Sequence, residues 1–466
     1  MTYNSITSED LDFFKTIVPQ HQLITETELL KKYGRDYTED FVFPPALVLI
    51  PDDSSAISKI MAYCHSRHIP VTPRGAGTGL SGGCLPIKGG IVLSLEKLNK
   101  IIEIDADNFQ AIVEPGVIND HLQTTVQQIG LFYPPDPASK GSCSIGGNVA
   151  HSSGGPRCVK YGTTRDYVLN LEVVLPSGDI IQTGANVLKN STGYNLTQLM
   201  VGSEGTLGIV TKITLKLIPY PSYNTLLLAS FNSATEACAC VPAILNAGII
   251  PSALEFMDKK GLELSVKHHD MAFETGSEKA YLLIEVDGYN ADALMPQCEK
   301  IYEVLEHYNA MNILLAEDAA TKEKFWKIRR SIGEVVKNLS IYKEEDTVVS
   351  RKYLPELYDY INYLSTTYGF ESVCYGHAGD GNLHVNILKQ NMSDEKWQNE
   401  LPIAIRLLFE KCKALGGTIS GEHGIGMVQK PYLDIVFGKA HIEIFKGIKR
   451  SFDPHLILNP GKIFDI

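Results

Sequence analysis

The chain has 466 residues, 44% hydrophobic and 21% charged, enough for two or three packed cores at about 150 residues each. Its net charge of −12, from 42 basic and 54 acidic residues, works against nonspecific nucleic-acid binding, and no basic run with interleaved aromatics offsets it. No apolar run approaches the ~18–20 residues that span a bilayer. The N-terminus carries Glu9, Asp10 and Asp12 where a secretory signal needs a basic region. A cytoplasmic protein is therefore expected, with peripheral membrane association through a partner left open. The nine cysteines include no C-x-x-C pair, so neither a zinc ribbon nor a ferredoxin-type iron–sulfur run is encoded. Reduced, mostly buried thiols are expected, and electrons leaving through an iron–sulfur centre would need another chain.

In chain order, Ser8–Ile17 and Thr25–Tyr33 read as helices. From about Asp40 to Pro219, short β-branched runs alternate with glycine-rich turns: 46–50, 69–72, 90–95, 110–113, 171–175, 180–183 and 208–217. Pro176-Ser-Gly-Asp179 is a hairpin signal between two of them, and helices are expected over 54–68 and 118–129. Pro219 and Pro221 mark a boundary. Beyond it, helices are expected over 234–246, 291–308, 321–338, 354–368, 397–415 and 441–452, with strands over 279–286 and 381–388.

The richest glycine segment is Thr72-Pro-Arg-Gly-Ala-Gly-Thr-Gly-Leu-Ser-Gly-Gly83. Gly77, Gly79 and Gly82 make a literal G-x-G-x-x-G, but a dinucleotide loop of that type must open a helix. Here the chain runs on into the expected strand at 90–95, and no Gly-Lys-Ser/Thr follows to make a P-loop. Glycines let backbone amides approach an anion closely, so a diphosphate-bearing cofactor competes with a plain tight turn.

Three further segments complete a pattern: Pro134-Pro-Asp-Pro-Ala-Ser139 before Gly146-Gly-Asn-Val-Ala-His-Ser-Ser-Gly-Gly-Pro156, then Lys160-Tyr-Gly-Thr-Thr-Arg-Asp166, then Gly202-Ser-Glu-Gly-Thr-Leu-Gly-Ile209. In this order they resemble the FAD domain of the vanillyl-alcohol-oxidase/PCMH superfamily. Within it, the D-2-hydroxy-acid dehydrogenase group, with the glycolate oxidase D subunit and D-lactate dehydrogenase, is the nearest likeness. The resemblance extends from about Asp40 to the C-terminus. It implies an α+β fold: a PCMH-type FAD-binding domain over 1–219, and over 220–466 an α+β, ferredoxin-like substrate cap whose last segment returns to the flavin. It also implies that Arg74, Gly75, Ala76, Gly77, Thr78, Gly79, Ser81 and Gly82 hold the pyrophosphate. Pro135, Gly146, Gly147, Asn148, Ser153, Gly155, Asp166, Gly205 and Ile209 would line the rest of the FAD site. Some relatives attach FAD through a histidine in the first loop; Arg74–Thr78 contains none, so noncovalent FAD is expected, and His151 is read as structural.

Tyr375-Gly-His-Ala-Gly-Asp-Gly-Asn-Leu-His-Val-Asn-Ile387 puts His377 at a turn and His384 on a strand, where His384 and Asn386 share one face. A polar row on a strand face needs partners or a ligand, and Asn386 is taken as a substrate contact. Ser420-Gly-Glu-His-Gly-Ile-Gly426 adds a carboxylate and an imidazole. Two imidazoles and a carboxylate suit a borderline divalent cation with positions left open, although histidines in glycine turns also bond simply to backbone. The resemblance assigns His377, His384 and Glu422 to a divalent metal, zinc before manganese or iron, and His423 to the catalytic base. The chemistry is coherent, because a metal lowers the pKa of bound water from 15.7 to about 7 and should act on a coordinated alcohol in the same direction.

Phe325-Trp-Lys-Ile-Arg-Arg330 offers guanidinium groups suited to a carboxylate, or else a solvated helix face. The resemblance selects Arg329, three residues after the tryptophan. The 2-hydroxyglutarate enzymes of the group carry a threonine and a downstream lysine for the second carboxylate, where this chain has Gly333 and Glu344. That departure favours a small monocarboxylate, glycolate or D-lactate, passing electrons to an unidentified acceptor or redox partner chain. The alternatives are a D-2-hydroxyglutarate-type enzyme, a noncatalytic FAD-binding subunit of a larger complex, and a flavin-free metallohydrolase.

Overall fold

The computed structural model describes residues 2–38 and 41–466; the onset of the strand-rich region at Asp40 lies outside them. The chain separates into two compact units. Residues up to Ser153, Thr163–Pro219 and Glu422–Ile466 form the first, and Gly154–Gly162 with Tyr220–Gly421 form the second. One change of unit falls at Pro219, but two segments depart from a linear 1–219 and 220–466 division, and each has a local cause. Within the second unit, Lys160 pairs with Asp287 and the Tyr161 hydroxyl donates to Asp287 Oδ2 at 2.8 Å, which ties 154–162 there. Within the first, Leu458 bridges Val71 in parallel, and buried Lys449 donates to Asp453 Oδ2 (2.7 Å), the Thr206 carbonyl (2.7 Å) and the Leu458 carbonyl (2.8 Å).

In the first unit, Leu47–Leu49, Ile91–Ser94 and Val71–Arg74 are parallel neighbours, with Leu23–Ile24 antiparallel at the edge. The apolar runs are unbroken because both faces are covered. Helix Ser54–Arg67 supplies Ile57, Ile60, Met61 and Cys64 to that core. It starts where Asp53 accepts from the Ala56 amide at 2.7 Å and stops at left-handed His68. A second, antiparallel sheet runs 101–105, 110–113, 209–216, 168–174, 180–182, and the last pair closes the hairpin foreseen at Pro176–Asp179. Seven of the nine cysteines are buried. No helix among the described residues is long and apolar enough to cross a membrane.

Helix Ser8–Lys15 opens with a capping box between Thr7 and Asp10. Asp10 is fully buried and accepts from the Thr7 amide and hydroxyl (both 2.7 Å), the Tyr63 hydroxyl (2.8 Å) and Arg67 Nε (3.1 Å). Burial alone would raise its pKa, but these donors outweigh it and hold the carboxyl at about 2. A folded-state pKa below the unfolded value contributes stability that is present above pH about 4 and lost as pH falls through about 2. Asp10→Asn should therefore cost roughly 2 kcal/mol at neutral pH. Thermal melting from pH 7 down to pH 3 should show the gap to wild type narrowing below pH 4, whereas a gap independent of pH would contradict this origin.

The second unit holds a seven-stranded antiparallel sheet in the order 312–316, 223–231, 280–288, 253–258, 371–376, 382–388, 342–348. Its first four strands take the fourth-first-third-second order of a ferredoxin-like β-α-β-β-α-β unit, with helices Ala234–Asn246 and Met295–His307 as the crossovers. The remaining three strands extend that sheet. One face carries Leu226, Leu228, Met257, Tyr281, Leu283, Val373 and Leu388, packed against Phe325, Ile328, Ile332 and Val336 of helix Ala319–Leu339. Along that same face, toward one end, the residues change from apolar to polar. The strands carrying much of that polarity, 253–258, 342–348 and 371–376, went unpredicted, as did 101–105.

Candidate active site

The flavin residues expected from the sequence fall in the first unit, apart from Gly155, which lies in the second. The loop after strand Val71–Arg74 contains no helix before Ile91, as the rejection of a dinucleotide-type fingerprint requires. Gly77 has φ +74, and a Cβ there would lie 2.0 Å from Arg74 Nη2. The Arg74 guanidinium is folded beneath its own loop and donates from Nη1 to the Arg35 carbonyl at 2.7 Å, so it braces the loop. Ala76 is exposed at the tip, with Thr78 half-buried beside it. Gly79 accepts from the Tyr37 amide (3.1 Å) and the Gly82 amide donates to Thr38 Oγ1 (2.7 Å).

Gly146, Gly147 and Asn148 form the first turn of helix Ile145–His151. Its N-cap, Ser144, accepts from the Gly147 amide, and a Cβ on Gly75 would stand 2.6 Å from the Ser144 hydroxyl. The two glycine segments thus touch through Gly75. Asn148 donates to Asn119, which donates to the Pro135 carbonyl, at 3.0 and 3.2 Å. Ser153 accepts from the Thr164 hydroxyl at 2.8 Å, Asp166 caps the Thr163 amide at 2.8 Å, Gly205 (φ +65) packs on Pro73, and Ile209 begins a strand. The Ser81 hydroxyl is buried with no hydrogen-bond partner. Glycine amides around an unsatisfied buried hydroxyl suit a diphosphate, so the residues present fit the cofactor.

Glu204, which sequence reading passed over within Gly202–Gly205, accepts from the Ile425 and Gly426 amides, both at 2.7 Å. The Ser81 carbonyl accepts from the Met427 amide at 2.9 Å. These bonds fasten the stretch just after His423 to the glycine segments of its own unit.

In the second unit, the polar end of the sheet face brings together His377, His384, Asn386 and Arg329. His377 and His384 are buried, with ring centroids 5.4 Å apart and planes at 89°. His377 Nδ1 lies 2.9 Å from both carboxylate oxygens of Glu255, which is itself fully buried. His384 Nδ1 is 3.7 Å from Glu344 and 3.8 Å from Asp346. Asn386 is fully buried, and neither its amide oxygen nor its nitrogen has a hydrogen-bond partner. Arg329 sits on the buried stripe of its helix and is 4% exposed. Its guanidinium lies 4.8 Å over the Tyr375 ring, and Nη2 is 2.7 Å from Glu255 Oε2. That contact is an ion pair without hydrogen-bond alignment, and Nε too has no hydrogen-bond partner. The neighbouring Arg330 instead stacks on Trp326.

Tyr375 forms one wall. Its hydroxyl donates to Glu344 at 3.3 Å and occupies the space where a side chain on Gly333 would stand, 2.7 Å from that Cβ position. Burial, then the charge of Glu344, push its phenol well above the ordinary 10. Asp346 accepts from the Ser420 hydroxyl (3.0 Å) and the Gly421 amide (2.7 Å). Glu422 is the next residue in the chain. Nδ1 of His377 is turned to Glu255, and buried imidazoles among carboxylates suit a borderline divalent cation. Sequence reading missed Glu255, Asp346 and Tyr375. Tyr375 was within reach, because it stands two residues before His377 at the end of an alternating strand.

Residues 45–184 match the family described as FAD binding domain, and residues 220–463 match FAD linked oxidases, C-terminal domain. Among curated relatives, a D-lactate dehydrogenase of Anaerostipes hadrus is 37% identical, covering 99% of this chain and 98% of its own. The Glycolate oxidase subunit GlcD of Bacillus subtilis (strain 168) is 40% identical over 93% and 92%. A D-2-hydroxyglutarate dehydrogenase of Stutzerimonas stutzeri is 31% identical over 97% and 98%. The solved structure of p-cresol methylhydroxylase with substrate bound shares the fold, with a TM-score of 0.82 at 17% identity over 99% and 98% of the two chains. The chain belongs to the FAD-linked oxidase family and is an FAD-dependent oxidoreductase.

Proposed function

We propose that the protein oxidises a small D-2-hydroxy monocarboxylate, glycolate or D-lactate, to the 2-oxo acid, with noncovalent FAD and a divalent metal held by His377, His384 and Glu422. The observation that carries this is the buried grouping of Arg329, His377, His384 and unsatisfied Asn386 on one sheet face. The free donors of Arg329 receive the substrate carboxylate, and Asn386 offers an amide to the same molecule. His423 takes the hydroxyl proton on its imidazole. Bound FAD would supply the hydride acceptor for Cα, and a cation on His377, His384 and Glu422, zinc before manganese or iron, would supply acidification of the hydroxyl.

Monocarboxylate preference is supported by Tyr375 and Glu344. The Tyr375 hydroxyl fills the space over Gly333, and the Glu344 carboxylate beside it repels a second carboxylate. Relatives named as glycolate oxidase subunits, together with the missing C-x-x-C pair, support a separate redox partner chain.

Turnover of glycolate, both lactate enantiomers and D-2-hydroxyglutarate with an artificial electron acceptor tests the substrate class. kcat/KM should be highest for glycolate or D-lactate; a higher value for 2-hydroxyglutarate would overturn the monocarboxylate preference. Arg329→Met should raise KM for the preferred acid by roughly 10²-fold, the scale of a lost charge-assisted carboxylate contact, with FAD content unchanged. A KM within a few-fold of wild type would remove Arg329 from the carboxylate site.

A further inference from the structure

We infer that Glu255 is a positioning residue that sets His377 and Arg329 together from one buried carboxylate; this rests on the metal site proposed above. Glu255 lies on strand Ala253–Asp258, inside the seven-stranded sheet. In the antiparallel register Phe256 faces Gly376 and Met257 faces Tyr375, so continuing the register by one residue puts Glu255 across from His377. Its position is therefore set by the sheet and not by a loop. An isolated carboxylate at 0% exposure costs several kcal/mol, and here, among the described residues, the compensation comes from His377 Nδ1, 2.9 Å from each oxygen, and Arg329 Nη2, 2.7 Å from Oε2.

Two consequences follow from this arrangement. An ionised carboxylate is purely an acceptor, so the proton of a neutral His377 sits on Nδ1 and the lone pair is presented at Nε2. The tautomer and ring plane needed for a metal ligand are thereby fixed before any ligand arrives. The guanidinium of Arg329 would otherwise bring a full positive charge to a site that must admit a cation. Glu255 stands between the two and offsets that charge. Because the ion pair is not aligned as a hydrogen bond, Arg329 keeps donors for a carboxylate. One side chain thus prepares both the cation ligand and the anion anchor.

The test is zinc binding to metal-stripped, FAD-loaded protein by calorimetry, which needs no turnover. Wild type should bind one zinc ion per chain, and Glu255→Gln should weaken that affinity by about 10–100-fold, the usual effect of removing the partner that orients a metal-bound histidine. FAD content should be unchanged. Glu255→Asp, which keeps the charge but retracts it, should fall between the two. KM for glycolate should rise in Glu255→Gln and be partly restored in Glu255→Asp. If Glu255→Gln does not fold, Glu255→Asp alone decides, by whether its zinc affinity drops. Zinc affinity within twofold of wild type in the variants overturns the role of Glu255. Absence of zinc binding in wild type overturns the metal site itself, and the two failures are separate.

Discussion

Replacing His423 by alanine is expected to slow reduction of the bound flavin by the hydroxy acid by roughly 10²–10⁴, the contribution of a general base, while leaving FAD and metal in place. The structural reason for expecting such a clean loss is how the segment is held. Ile425 and Gly426 are fastened to Glu204 through their backbone amides, and Gly421 to Asp346 through its own. None of these bonds uses the His423 side chain, so removing the imidazole leaves the turn anchored on both sides. Residual activity should rise with pH as solvent hydroxide replaces the imidazole. Flavin bleaching by stopped flow and metal content by elemental analysis read the two properties independently. Metal loss in His423→Ala would make His423 a ligand, and an unchanged bleaching rate would remove it from the mechanism.

His377→Ala should do the opposite to metal. With one of three proposed ligands gone, the cation and the activity should be lost together, and the rate should fall by about 10³-fold or more, since metal stabilisation of developing charge supplies several kcal/mol. Glu255 would also lose a partner, so the vacated space does not simply become apolar. FAD should stay bound, because apart from Gly155 the residues expected to hold it belong to the first unit. Glu422→Ala should share this phenotype. Full metal content in His377→Ala with activity near wild type would show that the cation is not held there.

The parts of this molecule that could be read from sequence are those where local chemistry dictates the outcome. The hairpin at Pro176–Asp179 and the left-handed Gly77 are set by turn residues. Glycines at 75, 77, 79, 82 and 83 left a diphosphate competing with a plain tight turn, and only the ordered set of later segments pointed to the FAD domain. His384 and Asn386 follow from strand alternation. What was missed depends on long-range packing. Strand Tyr342–Val348 reads Tyr-Lys-Glu-Glu-Asp-Thr-Val, an acidic run whose alternate residues turn toward the polar cluster, so the apolar period-two signal is absent. Glu255 looks like an ordinary strand carboxylate until the register sets it opposite His377. Gly146 and Gly147 disguise a helix, as each costs about 1 kcal/mol in helix propensity relative to alanine, and the start is visible only once Ser144 is seen to cap it. A return of the last segment was expected, but not its onset at Glu422; it rests on Lys449 and the Leu458–Val71 bridge, contacts between residues far apart in sequence.

The most direct measurement is anaerobic mixing of the FAD- and metal-loaded protein with glycolate or D-lactate while the flavin absorbance is followed. Bleaching of the oxidised flavin band with one of these acids, and far slower bleaching with D-2-hydroxyglutarate, is the expected result. An oxidised spectrum that persists with every 2-hydroxy acid, in protein shown to carry both FAD and metal, would contradict hydroxy-acid oxidation at this site.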